Sequence, residues 1–459
     1  MSRILIRTLL SIILFTLGIG SAAGAVLAGF ATADITPPLN LEMAGFGPFL
    51  ERKATGIHDP LMAHAMVMEV NGMRVAVVDC DVAGVTLEFT YKVRELVEAG
   101  TGIPGQHVLI TATHTHSGPA IPHWIGWGAQ DPEYLKGLPQ KVAGAITAAS
   151  MRLHPVAVYY GEVPVEGIGD NREYDGGPVD LKLRALKFMR GDKLEGFIVN
   201  YSVHNVILSE KMHEYSADLT GVALAKLVQE NPGSVGIFLQ GSCGDINPRP
   251  AHQINNQPPE KCLRLLNELS EAFAGYARKA LASASPLDIR ELEMETKKIS
   301  LPEVPTDRAL ALRTMQMADG LLQRGGLPPG AERQLRWTRD TSRAALDRFN
   351  RLPLDSRETE IQALRIQDLL ILTDPGELFI TFANQIGAAL PNWKVWVAGY
   401  ANDYIGYIPT PDRYDLQDEH YRYAAYFTPL MDGEFRYRED VGDVLVRDMV
   451  ALAQEVTVR

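Results

Sequence analysis

The densest chemistry in the chain is a pair of histidines two residues apart. They stand in the string Thr111-Ala112-Thr113-His114-Thr115-His116-Ser117-Gly118-Pro119, which follows the apolar run His107–Ile110. On an extended segment, side chains at i and i+2 point to the same side. Two neutral imidazoles at the end of a buried strand suit a metal such as Zn²⁺; a hydrogen-bonded pair without metal is the plainer alternative. His204 follows a second apolar run, Phe197–Tyr201, and is either a core histidine or a further ligand. Asp218, shortly after it, is placed to cap a helix or to accept a hydrogen bond from a metal-bound imidazole.

Three further strings share that placement. Gln240-Gly241-Ser242-Cys243-Gly244-Asp245-Ile246-Asn247-Pro248 reads as a tight turn, or as a pocket wall offering backbone N–H donors. In Asp374-Pro375-Gly376-Glu377, a carboxylate at a helix start either satisfies free N–H groups or ligates a metal. Asn402-Asp403-Tyr404-Ile405-Gly406-Tyr407 brings tyrosines that pack, ligate a metal, or stabilise an oxyanion. All five strings follow a strand and open a loop. In open α/β sheets that edge is where ligands bind.

The elements that must carry these loops alternate between strand and helix. Asn71-Gly72 predicts a hairpin between strands at Met66–Glu69 and Arg74–Val78. Helices are expected at Leu87–Ala99, Tyr134–Arg152, Leu219–Gln229, Glu260–Leu281 and Leu378–Leu390. Strands are expected at Gln106–Ala112, Ala157–Val163, Leu183–Met189, Gly196–Tyr201, Gly236–Gln240, Glu360–Arg365, Asp368–Leu372 and Lys394–Gly399. Residues 29–55 read as loop-rich, and the C-terminus as an amphipathic closing helix. The pattern predicts an α/β protein, with mixed β-sheets flanked by helices in a single large domain. Residues 306–352, rich in Arg, Ala, Leu and Glu and broken at Gly325-Gly326 and Pro328-Pro329-Gly330, predict an inserted helical hairpin. It is either a solvated structural insertion, or a lid or association surface. No internal repeat is visible.

Composition narrows the partners. The chain has 459 residues, 46% hydrophobic and 22% charged, an ordinary globular balance that excludes a disordered or polytopic membrane chain. Its 44 Lys and Arg against 56 Asp and Glu give a net charge of −12. With no Lys/Arg run, nucleic acid is not expected as a partner. Residues 1–25 read as an export signal: Arg3 and Arg7, an apolar run from Leu9 to Ile19, and Ala23-Gly24-Ala25 as a small-residue cleavage site. A periplasmic or secreted location is expected. Cys80, Cys243 and Cys262 allow at most one disulfide and hold no CxxC pair.

Taken together, the motifs resemble the catalytic N-terminal domain of the neutral/alkaline, non-lysosomal ceramidase family. The similarity runs from Ala31-Thr32-Ala33-Asp34-Ile35-Thr36-Pro37-Pro38 to about Tyr426. It includes the Thr-His-Thr-His-Ser-Gly-Pro string, Asn171-Arg172, Gly244-Asp245-x-x-Pro248, Pro375-Gly376-Glu377 and Asn402-x-Tyr404-x-x-Tyr407 in the family's order. The resemblance implies a zinc hydrolase that cleaves an N-acyl amide bond with metal-activated water. It implies zinc ligands at His114, His204, Glu377 and Tyr407. It places His116 and Arg172 against the substrate or transition state, with a further tyrosine at Tyr421 or Tyr423. Asp245, Asn247 and Tyr404 fall among the groups expected to contact substrate.

Two departures qualify the substrate. Asn247 stands where the family carries serine, and a bulkier amide there is expected to alter the pocket. The chain runs only about 50 residues past Tyr407, so residues 26–459 are expected to hold the catalytic domain without the family's C-terminal immunoglobulin-like domain. The substrate implied is ceramide or a related N-acyl lipid, reached through peripheral membrane contact; no protein partner is implied. The alternatives are a zinc hydrolase of the same fold acting on another amide or ester, and a metal-binding relative without catalysis.

Overall fold

The computed structural model describes residues 25–250, 256–415 and 423–458. Residues 1–24 of the expected leader and Tyr421 lie outside the described residues. Three five-stranded mixed sheets make up the framework, and they share one topology.

In the first unit, β1 (Leu27–Asp34), β2 (Met62–Val70) and β3 (Met73–Cys80) run antiparallel to one another. Helix α1 (Leu87–Thr101) then crosses to β4 (Val108–Ala112), which lies parallel to β3. Helix α2 (Pro132–Ser150) follows. The second unit repeats this with β5 (Ala157–Pro164), β6 (Lys182–Arg190), β7 (Lys193–Tyr201), α3 (Asp218–Glu230), a parallel β8 (Val235–Gln240) and α4 (Pro259–Ala282). The third has β9 (Leu292–Val304), β10 (Ser356–Ile366), β11 (Leu369–Thr373), α7 (Ile380–Ala389) and a parallel β12 (Lys394–Ala398). Between β9 and β10 it inserts the hairpin of α5 (Arg308–Arg324) and α6 (Pro329–Arg348). It ends with α8 (Thr428–Asp432) and α9 (Val441–Thr457).

Each unit thus carries one βαβ crossover, and the three crossovers supply the three parallel pairs. The sequence shows no internal repeat, yet the topology repeats three times. Connection order is what repeats: β2 and β10 each pair antiparallel with both neighbours in their units, without sharing residues.

One face of each sheet enters a common core that includes Val77, Leu109, Ile198, Leu239, Ile371 and Trp396. The other face is covered by the unit's own helices: Val93 and Ile146 over the first sheet, Leu227 and Phe273 over the second, Phe382 and Leu445 over the third. Sheets covered on both faces need near-continuous apolar strands. This is why Val108–Ala112 and Leu369–Thr373 are buried along their full length.

Local signals act as expected at the hairpin turn, where Asn71 (φ 51°) and Gly72 (φ 85°) take the left-handed conformations of a type I′ turn. Thr86 caps α1 through Phe89 N, and Asp131 caps α2 through Tyr134 N ahead of Pro132. The hairpin expected at 306–352 and the closing helix are both present. Three expectations need correction. Part of the loop-rich stretch 29–55 belongs to strand β1. The strand expected at Gln106 begins at Val108, after a 3₁₀ turn at Gly105–His107. The thirteen-residue β9, which pairs with β10 from Leu292 to Pro302, has no counterpart among the expected strands. All three cysteines are buried and free.

Candidate active site

The loops at the C-terminal ends of the three parallel pairs converge. The loop after β4 brings His114 and His116, the loop after β7 brings His204, and the loop after β11 brings Glu377. Tyr400, Tyr404 and Tyr407 come from the segment after β12. Each unit therefore contributes to one constellation.

Short backbone bridges set the register. Thr115 pairs with Asn205, which draws the histidine pair alongside His204. Glu377–Leu378 forms a two-residue parallel pair with Tyr407–Ile408, and Glu377 stands opposite Tyr407. Ile246–Pro248 pairs with Gly169–Asn171, and Arg172 N donates to Asp245 O. Gly244 is required by close approach: a Cβ there would lie 2.3 Å from the Glu377 carbonyl oxygen. Its N–H donates to Leu378 O, so it is committed to the scaffold.

The histidine pair does not sit on an extended strand. His114 has φ 62°, a left-handed conformation that costs roughly 1–2 kcal/mol in a residue with a Cβ. That turn, rather than strand alternation, brings His116 Nε2 to 3.1 Å from His114 Nε2. His114 Nδ1 donates to Ala83 O (2.5 Å) and His204 Nδ1 to Ile246 O (3.1 Å). Both rings must therefore carry their proton on Nδ1 and turn the Nε2 lone pair inward.

Those lone pairs meet Glu377. Its Oε2 lies 3.1 Å from His204 Nε2 and 3.6 Å from His114 Nε2. Its Oε1 accepts from Tyr404 Oη at 2.6 Å, and Oε2 accepts from Tyr400 Oη at 3.3 Å. Arg172 Nη2 donates to Tyr407 Oη and Gly244 O, both at 2.7 Å, and Nη1 donates to Asn247 Oδ1 at 3.3 Å. The Tyr423 ring packs edge-on against Tyr407, with centroids 5.7 Å apart.

Burial is the largest single influence on each group, but charged neighbours reverse it at Glu377 and Arg172. It pushes His114 down to about 4, although Glu377 opposes the shift. His116 is driven well below the ordinary histidine range by burial and by its two imidazole neighbours. His204 is lowered by burial and by Arg172. Burial would raise Glu377, but His114, His204 and Arg172 outweigh it and hold the carboxyl far below its usual range. Burial would weaken the charge on Arg172, but Tyr407, Glu173 and Glu377 reverse that. Burial raises Tyr407 strongly, and Arg172 only partly offsets it.

Neutral imidazoles beside an ionised carboxylate are the forms a metal needs. A tetrahedral Zn²⁺ with bonds of about 2.1 Å sets its ligands about 3.4 Å apart. The 3.1 and 3.6 Å separations fit that spacing, and N and O donors fit the metal. The ring nitrogens of His114, His116 and His204 lie within 4.8 Å of one another, which adds His116 to the groups close enough to share an ion. His116 differs in two ways: it is partly exposed, and its Nδ1 has no hydrogen-bond partner.

Several expected roles change. Glu377 does not sit at a helix start: α7 begins at Ile380, and the first-turn N–H of Ile380 is satisfied by Asp245 Oδ1 at 2.8 Å. Asp245 also accepts from Asn171 Nδ2 (2.8 Å) and is fully buried. It braces the scaffold, where the sequence suggested a substrate contact. Asp218 neither caps α3 from outside nor holds an imidazole. It is the first residue of α3, and it accepts from the N–H groups of Ile207, Leu208 and Leu219, which shapes the loop after His204. Tyr404, expected at the substrate, donates to Glu377.

Sequence reasoning missed Tyr400 and Arg52. Tyr400 lies two residues before the string that drew attention. Arg52 is buried and donates to Ala44 O and His116 O, with its guanidinium over the Phe46 ring. The carbonyls of Ala83 and Ile246 carry no side-chain signal at all.

Residues 26–267 match the family described as neutral/alkaline non-lysosomal ceramidase, N-terminal. The chain belongs to that family. Among curated relatives, the neutral ceramidase of Pseudomonas aeruginosa is 24% identical over 457 residues, covering 85% of this chain and 68% of that protein. The neutral ceramidase of Mycobacterium tuberculosis is 23% identical, covering 84% and 72%. The crystal structure of the Pseudomonas aeruginosa neutral ceramidase superposes with a TM-score of 0.72 at 21% identity, over 94% of this chain and 74% of that one. A ceramidase complexed with C2 does so equally well, at 20% identity. The ceramidase fold is thereby established, and the chain is a hydrolase of the ceramidase family.

Proposed function

We propose that this protein is an exported, zinc-dependent hydrolase that cleaves the N-acyl amide bond of ceramide or a related N-acyl lipid. The observation that carries the reading is the convergence of two carbonyl-anchored imidazoles on one ionised carboxylate, Glu377. His114, His204, Glu377 and Tyr407 would hold the ion, which supplies Lewis-acid activation of water and of the scissile carbonyl.

The chain's own groups do the rest. Arg172, fixed by Gly244 O and Tyr407 Oη, presents a permanent cation where negative charge develops on the carbonyl oxygen. A well-placed donor of this kind contributes about 3–4 kcal/mol. His116 is the imidazole that reaches the surface and is not anchored at Nδ1. It takes the proton released by the attacking water and delivers it to the leaving nitrogen, without which an amide does not break. The products are a carboxylic acid and an amine. Tyr423, edge-on to Tyr407, would line the same wall.

Metal analysis together with turnover tests the reading. The purified protein is expected to carry about one zinc per chain and to hydrolyse N-acyl lipids until treated with chelator. Full zinc content and full hydrolysis in both His114→Ala and Glu377→Ala would sink it.

A further inference from the structure

The three units deliver their first connections to the same place. Between β1 and β2, the first unit brings Arg52 and Phe46 against His116. Between β5 and β6, the second brings Arg172 against Tyr407. Between β9 and β10, the third inserts the α5–α6 hairpin, which meets the same rim from outside. Trp337 of α6 stacks on Phe427 (4.3 Å, 16°), Phe427 stacks on Tyr423 (5.8 Å), and Tyr423 touches Tyr407. Arg336 lies over the Phe49 ring at 5.0 Å.

The outer surface of this hairpin is unlike the rest of the chain. Residues 306–352 hold nine arginines, no lysine and five acidic residues, in a protein of net charge −12. The hairpin's ion pairs use Arg336, Arg339, Arg348 and Arg351. Arg313, Arg324 and Arg343 are exposed outside those pairs. On α5 the buried side is marked by Ala311 and Ala318. Along another side run Leu310 (54% exposed), Arg313, Met317 (58% exposed) and Arg324, at helical spacing. Leu312 is also exposed, as is Leu50 beside the Glu51–Arg336 pair.

We propose that the α5–α6 hairpin is an interfacial docking surface that seats the protein on an anionic lipid bilayer, with the rim of the site beside it. Its purpose rests on the N-acyl lipid reading above; its chemistry rests on the hairpin alone. Interleaved arginine and aliphatic side chains match a headgroup boundary, where guanidinium groups pair with lipid phosphates and aliphatic tips enter the acyl region. The acidic remainder of the chain is repelled by the same surface, so attraction through the hairpin also fixes orientation. No helix among the described residues is long and apolar enough to cross a membrane.

Co-sedimentation of the full chain with vesicles tests this. The protein is expected to bind vesicles of equal parts phosphatidylcholine and phosphatidylglycerol, and to ignore phosphatidylcholine alone. Arg313→Gln/Arg324→Gln is expected to weaken binding about 25-fold, at about fivefold for each basic side chain near an anionic surface. Leu310→Ser/Met317→Ser is expected to weaken it in a salt-independent way. Equal binding by wild type and both variants overturns the proposal, as does no binding to anionic vesicles. A wild-type dimer in gel filtration that both variants dissolve, with no vesicle binding, overturns it in favour of a second copy. Binding is read without turnover. Hydrolysis of a short-chain soluble N-acyl substrate, measured separately, should be equal in all three proteins; its absence in all of them would sink the N-acyl reading and leave the docking result standing.

Discussion

Tyr400 lies flat against His114, with ring centroids 4.1 Å apart and planes 23° apart. Its hydroxyl reaches Glu377 Oε2 at 3.3 Å and Cys243 Sγ at 3.2 Å. Its backbone has φ 54°, unusual for a bulky side chain. Strain of this kind persists where the surroundings over-determine it. Here one side chain ties an imidazole from the first unit to the carboxylate of the third.

That tie predicts a metal phenotype. Tyr400→Phe keeps the stack and loses the hydroxyl, and should weaken zinc affinity about tenfold or more, as loss of a ligand-orienting partner does. Tyr400→Ala removes the stack as well and should also lower stability by about 3–5 kcal/mol. Competition with a chromophoric chelator measures the first effect, and urea unfolding the second. Unchanged affinity in Tyr400→Phe would mean that the stack alone does the positioning.

Arg172 should act in the transition state. Arg172→Gln is expected to lower kcat about 10²–10³-fold with little change in KM. Arg172→Lys should restore only part of this, because an ammonium cannot serve Tyr407, Gly244 and Asn247 from one planar fork. Steady-state kinetics on a soluble N-acyl substrate decides; a change in KM alone would reassign Arg172 to ground-state binding.

Asp245 should matter for folding more than for turnover. Asp245→Ala leaves Ile380 N and one of the two Asn171 Nδ2 N–H groups without an acceptor, the other still reaching Pro178 O, at a cost of about 1–3 kcal/mol. Equilibrium unfolding is expected to show this loss, with KM nearly unchanged in the folded fraction. A large KM effect at full stability would return Asp245 to the substrate.

The metal-free protein should weaken on acidification. His114 is held down to about 4, against an ordinary value near 6.5. Between those values the unfolded chain binds a proton that the folded chain refuses, so stability is present above pH 6.5 and is lost as pH falls towards 4. The loss is of order 3 kcal/mol. Glu377, lowered on folding, adds a loss of the same sign further into acid. Urea unfolding of the apoprotein at pH 7 and pH 4.5 should show a smaller difference for His114→Gln than for the wild type. Equal differences would remove His114 from the account.

Much of this protein was legible in its residues. Apolar runs, helical periods, Asn71-Gly72 and the caps at Thr86 and Asp131 are local signals, and they placed most elements within a few residues. The strings around His114, His204, Gly244, Glu377 and Tyr407 could be recognised because chemistry restricts residue type at those points. The strand at Leu27–Asp34 and the long β9 escaped because pairing with β2 and β10, not local pattern, makes them strands.

What only the tertiary structure decided is how separate loops share one volume. The threefold topology exists in strand pairing, which leaves no repeated residues to read. Ala83 and Ile246 orient the imidazoles through backbone carbonyls, which every residue possesses and no sequence marks. Asp245 and Asp218 turned inward to unpaired N–H groups whose positions depend on distant segments. Side-chain type limits which chemistry is possible at a position. Only folding determines which partner, tens or hundreds of residues away, comes within 3 Å of it.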